Sequence, residues 1–570
     1  MPVARCPPSW RRLATAVMVL LGALGGVPGA DQVLEIHPAV RLAVNDAGDL
    51  FFEVKAAPGD GWSQMAARFA TSADDWEAIR DLNGGGDPRR GRYYRVPYAL
   101  LNDSFRFLGI AALFPEDVLG SNGWVHRVGT ARLPIEEESL YRLAFWLTGD
   151  GENFRAILAA NHLQDPSLQP GQEIRIPPAL LSEPFREAVT PTDSALIYGQ
   201  DREGDYAGYR LRKGEALYSA IVVRFTDRVD PDDVEKTVKR IAARSGIDRV
   251  TDIPSGFLVK IPLDLLAVRF LPPNDPRRVD LEMNRLLAAQ YQSTVESKDL
   301  ADIVVILDPG HGGIDVGTSQ NGVWEDDVVY DIAIRLKQKL EVKTAARVEM
   351  TLRDRSQKDR PHNGRFTRTD RDEMVLSHPP LITTDSRSRA VGVNLRAFLA
   401  NSIYRRQVRK GGDDQRIVFI SIHADALHRS MRGAMIYVPG ERFRRARYGA
   451  TGTRYRKYRE VREKPYVSFT RSQRLRSEGL SRQFASSALD AFRRHGLPIH
   501  AAQPVRDHVV RRGRSWVPAV LRGNQVPIKV LFEVANIANR HDAADLASPK
   551  HRDLIAEALL DTLLSFYRGR

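Results

Sequence analysis

Cysteine is almost absent: the 570-residue chain holds one, Cys6. It precedes the apolar run over 13–24 rather than following it, which excludes the cysteine of a lipoprotein anchor. Removed with a leader, it leaves a mature chain with no disulfide and no thiolate ligand, so any metal site must use His, Asp and Glu. Long hydrophobic runs are absent too. Beyond the first thirty residues nothing approaches the roughly twenty apolar positions that a spanning helix needs, and no membrane span is expected in the mature chain.

Arg5, Arg11 and Arg12 precede the short apolar run, and small residues follow at Gly29 and Ala30. Residues 1–30 therefore read as a secretory signal peptide. The Arg11–Arg12 pair leaves both the general and the twin-arginine routes open. Export places the chain in the periplasm or cell envelope, where nucleic acid is a poor candidate partner. The hydrophobic fraction of 43% suffices for several buried cores. The net charge of +13 is carried heavily by 441–476, where Arg and Lys far outnumber Glu441, Glu460 and Glu463. The plain reading is a solvated, partly disordered insertion; the alternatives are contact with an anionic polymer or with a partner protein.

Three segments close alike, at Arg95-Val-Pro97, Arg175-Ile-Pro177 and Lys260-Ile-Pro262, about eighty residues apart. That spacing marks a repeated small module. Each pairs a short extended piece with helical stretches and a last strand ended by proline, where pairing is no longer interrupted. With Leu82-Asn83, Ala160-Asn161 and Pro170-Gly171-Gln172, the repeats resemble LysM peptidoglycan-binding modules, assigned to 48–101, 124–181 and, in divergent form, 206–266. The resemblance suggests Asn83 and Asn161 as glycan contacts. The bare alternative is a set of α+β spacers. Residues 267–300 read as a linker from Phe270-Leu-Pro-Pro-Asn-Asp-Pro276, with a short amphipathic helix around 281–290.

From 301 to 570 the pattern changes. Ile303-Val-Val-Ile-Leu307, Ile417-Val-Phe-Ile-Ser421 and Lys529-Val-Leu-Phe-Glu533 suit strands buried on both faces, and helical patterns lie between them. The fold class expected is α/β: a mainly parallel sheet flanked by helices, preceded by the small α+β modules.

Four residues fall at strand ends or a helix start: His311 in Asp308-Pro-Gly-His311, Glu325, His423 in Ser421-Ile-His423, and Glu533. Sites in open α/β sheets form at the carboxyl ends of the strands. Two imidazoles and a carboxylate suit catalytic zinc with one position left open, and a second carboxylate can then act as base. Singly, each residue has a plainer reading, such as a packed histidine or an acid at a helix N-terminus. A carboxylate ending an apolar strand, as Glu533 does, is costly unless paired or coordinated.

Taken together, Val305-Ile-Leu-Asp-Pro-Gly-His311, Asn321-Gly-Val-Trp-Glu325, Phe419-Ile-Ser-Ile-His423 and Val530-Leu-Phe-Glu533 resemble the amidase-3 type of zinc N-acetylmuramoyl-L-alanine amidase. The resemblance implies Zn2+ held by His311, Glu325 and His423, Glu533 as catalytic base, and Arg522 as a substrate contact or a structural partner of a glutamate. The implied reaction is hydrolysis of the amide between N-acetylmuramic acid and L-alanine in peptidoglycan. An inactive wall-binding scaffold and a zinc peptidase acting within the stem peptide are the alternatives. Asp425 departs from the family's usual asparagine. Some relatives hold an inhibitory helix over the metal, and 441–476 falls where such a segment sits; Glu441, Glu460 or Glu463 is then the expected cap. Otherwise this Arg-rich segment is expected to meet an activator protein or an anionic wall polymer.

Overall fold

The computed structural model describes residues 32–568 apart from 46, 58, 121, 136–137, 190–195 and 368–369, so the expected signal peptide lies outside the described residues. The chain divides into two compact units: Met1–Val118 with Gly123–Arg186, and Leu119–Asn122 with Glu187–Arg570.

The first unit holds two modules of the expected strand, helix, helix, strand order. In the first, Leu50–Lys55 pairs antiparallel with Tyr93–Pro97 around helices Trp62–Phe69 and Trp76–Leu82. A hairpin of Gln32–His37 and Val40–Val44 extends that sheet to four strands. In the second, Gly123–Arg127 pairs with Glu173–Ile176 around Leu140–Thr148 and Phe154–Ala160.

Asn83 and Asn161 do the same job in each module. Asn83 donates to Ile79 O (2.7 Å) and Arg95 O (2.8 Å) and accepts from Arg95 N (2.8 Å). Asn161 donates to Ile157 O (2.8 Å) and Arg175 O (2.7 Å) and accepts from Arg175 N (2.8 Å). Both amide hydrogens and the oxygen are spent tying a helix end to the closing strand. These bonds give both asparagines a structural role, as a clamp inside the fold.

In the second unit, a mixed six-stranded sheet is built from β1 (Val304–Pro309), β2 (Arg347–Met350), β3 (Ile417–Asp425), β4 (Met435–Tyr437), β5 (Val505–Arg506) and β6 (Ile528–Asn536), in the order β2-β1-β3-β6-β4-β5. All neighbours are parallel except β4 against β6. The helices are α1 (Glu325–Lys343), α2 (Ser386–Arg409), α3 (Arg471–Arg494) and α4 (Pro549–Tyr567). Because side chains alternate along a strand, Val305 and Leu307 face α1, α3 and α4, whereas Val304 and Ile306 face the opposite side.

That opposite face departs from the expected layout. It is covered by α2 together with residues 207–271, whose Leu217, Ile221, Val238 and Val259 share one core with Ile306, Phe419 and Leu531. Residues 207–271 are thus a wall of the second unit's core rather than a separate module. Residues 267–300 likewise are not a loose linker. A helix spans Pro276–Ala289, starting earlier than its apolar pattern suggested because Asp275 caps it and Pro276 occupies its first turn. It lies against α3, where Asn284 Nδ2 donates to Glu478 Oε2 (3.3 Å) and Gly479 passes close to Ala288.

The basic segment 441–476 is also built into the fold. It carries a hairpin of Arg447–Gly449 and Tyr466–Ser468 and a helix Arg459–Glu463. Its glutamates are occupied. Buried Glu441 pairs with Arg471 (3.2 Å) and Arg474 (2.7 Å), buried Glu460 with His378 (2.9 Å) and Arg459 (3.1 Å), and Glu463 with Arg405 (3.0 Å). Each is neutralised by a neighbouring cation, so none is directed to the metal centre described below, and the expectations of a disordered insertion and of a glutamate cap both fail.

Two expectations for stability follow. A Cβ on Gly479 would lie 2.0 Å from Ala288 O, a backbone atom that cannot swing aside. Glycine to alanine inside a helix ordinarily stabilises by about 1 kcal/mol, but here overpacking of about 1–3 kcal/mol prevails. Gly479→Ala is therefore expected to lower the melting temperature of the second unit, measured by calorimetry. The second concerns His126, fully buried with Nδ1 3.0 Å from Asp117 and Nε2 3.4 Å from Glu138. Burial alone would lower its pKa, but hydrogen bonds to the two carboxylates outweigh burial and raise it to about 9. A raised cationic pKa stabilises fully below the unfolded value near 6.5 and fades as pH rises through about 9. Thermal melts between pH 6 and 10 are expected to show the first unit losing on the order of 2–3 kcal/mol over that window, and His126→Gln to remove the dependence.

Candidate metal centre

The site forms where β1, β3 and β6 end. Asp308, in β1, is fully buried and accepts from Ser421 Oγ in β3 (2.7 Å) and from Thr351 Oγ1 just past β2. Arg396 of α2 donates to Pro309 O and lies 3.5 Å from Asp308. This network locks three strand ends together beneath the loop that carries His311.

His311 itself has φ 60°, a left-handed conformation uncommon for a residue with a side chain, and Gly312, Gly313 and Gly317 nearby are also left-handed. The turn directs His311 Nε2 to 3.0 Å from Glu325 Oε1. Glu325 is the first residue of α1, its carboxylate held by Thr318 N (2.9 Å) and Ala424 N (3.1 Å). His423 Nδ1 reaches the same Oε1 at 3.1 Å, and the two imidazole centroids are 4.9 Å apart. Parallel pairing sets His423 opposite Glu533 across β3 and β6. Glu533 is buried, and its Oε2 has no hydrogen-bond partner.

The electrostatics match this crowding. Burial works against a charged His311, but Glu325 and Asp315 (3.4 Å from Nδ1) overcome it and lift its pKa to about 10. Burial would raise Glu325; the two imidazoles instead hold its carboxyl well below the usual range. His423 is lowered by burial. Glu533 is pushed up by burial and then by Asp425 and Glu325. Asp425 is itself raised to about 7, mainly by burial.

The donor set fits a zinc ion. His311, Glu325 and His423 each offer an atom within 4.8 Å of the others. Ligand atoms on a tetrahedral zinc lie about 3.3 Å apart, by the usual bond lengths of 2.0–2.1 Å. The 3.0 and 3.1 Å approaches to Glu325 Oε1 are close to that spacing. Two imidazoles converging on one carboxylate oxygen leave a shared focus suited to a cation.

A cavity of about 210 Å³ opens onto His311 and His423. Leu352, Val375, Val520 and Leu531 form apolar walls, and Arg389 and Glu373 contribute charge. Arg522 is not among its lining residues. Its guanidinium lies 6.0 Å from the centroid of Tyr448 and its carbonyl accepts from Arg444. Sequence reasoning overlooked Asp315, Glu373 and Arg389. For Arg389 a signal existed: it and Arg387 occupy the start of α2, where a cation opposes the helix dipole.

Residues 305–565 match the Amidase_3 family, described as N-acetylmuramoyl-L-alanine amidase. Residues 136–177 match the LysM domain. The chain thus carries an Amidase_3 domain at its C-terminal end and a LysM domain before it. An uncharacterized cell wall amidase of Bacillus anthracis is 26% identical over 291 residues, which is 51% of this chain. The chain spans 39% of that relative's length. Among solved structures, the N-acetylmuramyl-L-alanine amidase Ami1 of Mycobacterium smegmatis is 18% identical, with a TM-score of 0.29, over 47% of this chain and 99% of its own. The catalytic domain of CwlV from Bacillus (Paenibacillus) polymyxa is 17% identical, with a TM-score of 0.28, over 47% and 99%.

Gly317 tests the geometry. At φ 65°, a Cβ there would lie 2.5 Å from Glu325 Oε2 and 2.7 Å from the His311 ring. Gly317→Ala is expected to cut zinc affinity at least tenfold while the rest of the sheet stays folded, read by zinc titration beside circular dichroism.

Proposed function

We propose that the chain is an exported peptidoglycan hydrolase that cleaves the amide between N-acetylmuramic acid and L-alanine, with zinc held by His311, Glu325 and His423. The observation that carries this reading is the convergence of both imidazoles on Glu325 Oε1, with Glu533 on the neighbouring strand. When bound, zinc supplies Lewis acidity that polarises an amide carbonyl and makes water acidic near neutral pH. Glu533 takes the proton of the attacking water and returns it to the departing amine. Its Oε2, buried and without a partner, is free for both transfers. The apolar walls at Val520 and Leu531 limit competing water.

The LysM domain supports wall binding, which tethers the enzyme among cleavable bonds. Exposed Arg445, Arg454, Arg456, Lys457 and Lys464 suit an anionic wall polymer. Among the described residues no helix is long and apolar enough to cross a membrane.

The test is digestion of purified peptidoglycan, with and without its anionic polymers, followed by mass spectrometry. Free stem peptides beginning at L-alanine and intact glycan are expected. Glu533→Gln is expected to lose about 10²–10⁴-fold in rate while retaining zinc. Cuts inside the stem peptide would replace the amidase with a peptidase. A chain that binds zinc and wall yet releases nothing would be a scaffold.

A further inference from the structure

A second group of acids lies beside the metal centre and supplies none of its ligands. Asp326 and Asp327 follow Glu325 in the first turn of α1, and Glu373 approaches them from the segment after β2. One oxygen from each lies within 4.8 Å of the others. Asp327 is 3% exposed and Glu373 2% exposed. Among the described residues, Asp327 Oδ2 and Glu373 Oε1 have no hydrogen-bond partner, although both are buried. Burying a carboxylate oxygen unpaired costs far more than leaving it in water, and two such oxygens side by side add repulsion. The N-terminal end of α1 offsets only part of that cost.

The surroundings supply access. Asp354, Asp370 and Asp372 form a further cluster, whose oxygens are partly engaged by Gln357 N (2.6 Å) and Arg355 N (2.9 Å). A cavity of about 340 Å³ is lined by Asp327, Asp354 and Asp370, giving an ion a route from solvent and room for water ligands.

We propose that Asp326, Asp327 and Glu373 bind a calcium ion. The donor set is all oxygen, which favours a hard cation over zinc. Calcium accepts six to eight oxygens at about 2.3–2.6 Å in flexible geometry, so its ligand atoms lie at most about 5 Å apart, as these do. Magnesium demands near-ideal octahedral ligation and keeps its waters, which three crowded carboxylates serve less well. The ion's role follows from one further contact: Glu373 Oε2 accepts from Gly313 N at 2.7 Å. Calcium held there ties the segment carrying Glu373 both to the His311 loop and to the start of α1 that carries Glu325. The proposal does not depend on the amidase reading.

The test uses the full mature chain carrying His311→Ala and His423→Ala, which removes the zinc centre. After equilibration with calcium and gel filtration, elemental analysis is expected to find one calcium per chain, and calcium to raise the melting temperature of the second unit by several degrees. Adding Asp327→Asn and Glu373→Gln is expected to abolish both effects. These near-isosteric changes remove the repulsion, so this variant should melt no lower than its parent in calcium-free buffer. No retained calcium, an undiminished response in the amide variant, or a response to zinc or magnesium but not calcium would each overturn the assignment. If the amide variant fails to fold, calcium retention by its parent still decides. Zinc content of Asp327→Asn/Glu373→Gln in the otherwise natural chain judges the zinc centre separately.

Discussion

Two imidazole nitrogens meet on one oxygen of Glu325, and most of the second unit is arranged to keep them there. The contact joins three elements distant in sequence: the loop after β1, the first residue of α1 and the end of β3. A helix start, a left-handed turn and a strand end must all be held within a few tenths of an ångström. The hydrogen-bonded floor of Asp308, Thr351 and Ser421 does this from below. Parallel pairing of β3 with β6 does it from the side and brings Glu533 into place.

A parallel sheet exposes two apolar faces, and both need cover. One is covered by α1, α3 and α4 in the manner common to α/β domains. The other is closed largely by α2 and the third repeat, whose apolar residues continue into the sheet's own core. Residues 207–271 are thus part of the interior of the second unit. The helix Pro276–Ala289 serves similarly against α3, through the close pass at Gly479.

Charge is distributed by the same logic. The arginines of 441–476 are partly consumed in neutralising Glu441 and Glu460, Arg444 is buried against Arg522 O, Arg476 pairs with Asp414, and Arg445, Arg454 and Arg456 face solvent. Among the described residues, buried Asp327 Oδ2 and Glu373 Oε1 have no hydrogen-bond partner. Acids shielded by arginine serve the fold, and the unpaired oxygens of Asp327 and Glu373 are the basis of the proposed cation site.

The sequence by itself determined the local pieces: apolar runs for β1, β3 and β6, the repeated strand–helix–helix–strand pattern, and the His311, Glu325, His423 and Glu533 motifs at element ends. These are legible because period, strand ends and loop glycines are short-range properties of the chain. It also showed Asn83 and Asn161 as recurring residues without showing why they recur, since their hydrogen bonds join a helix to a strand about a dozen residues on. Only the tertiary structure decided that the third repeat covers the sheet, that the glutamates of 441–476 are paired, and that Arg522 turns to Tyr448 while Arg389 lines the cavity. It alone brought Glu373 to Asp327. Each of these outcomes depends on which surfaces meet, and burial, pairing and charge compensation are set by neighbours far away in the chain, as Asn284 is from Glu478.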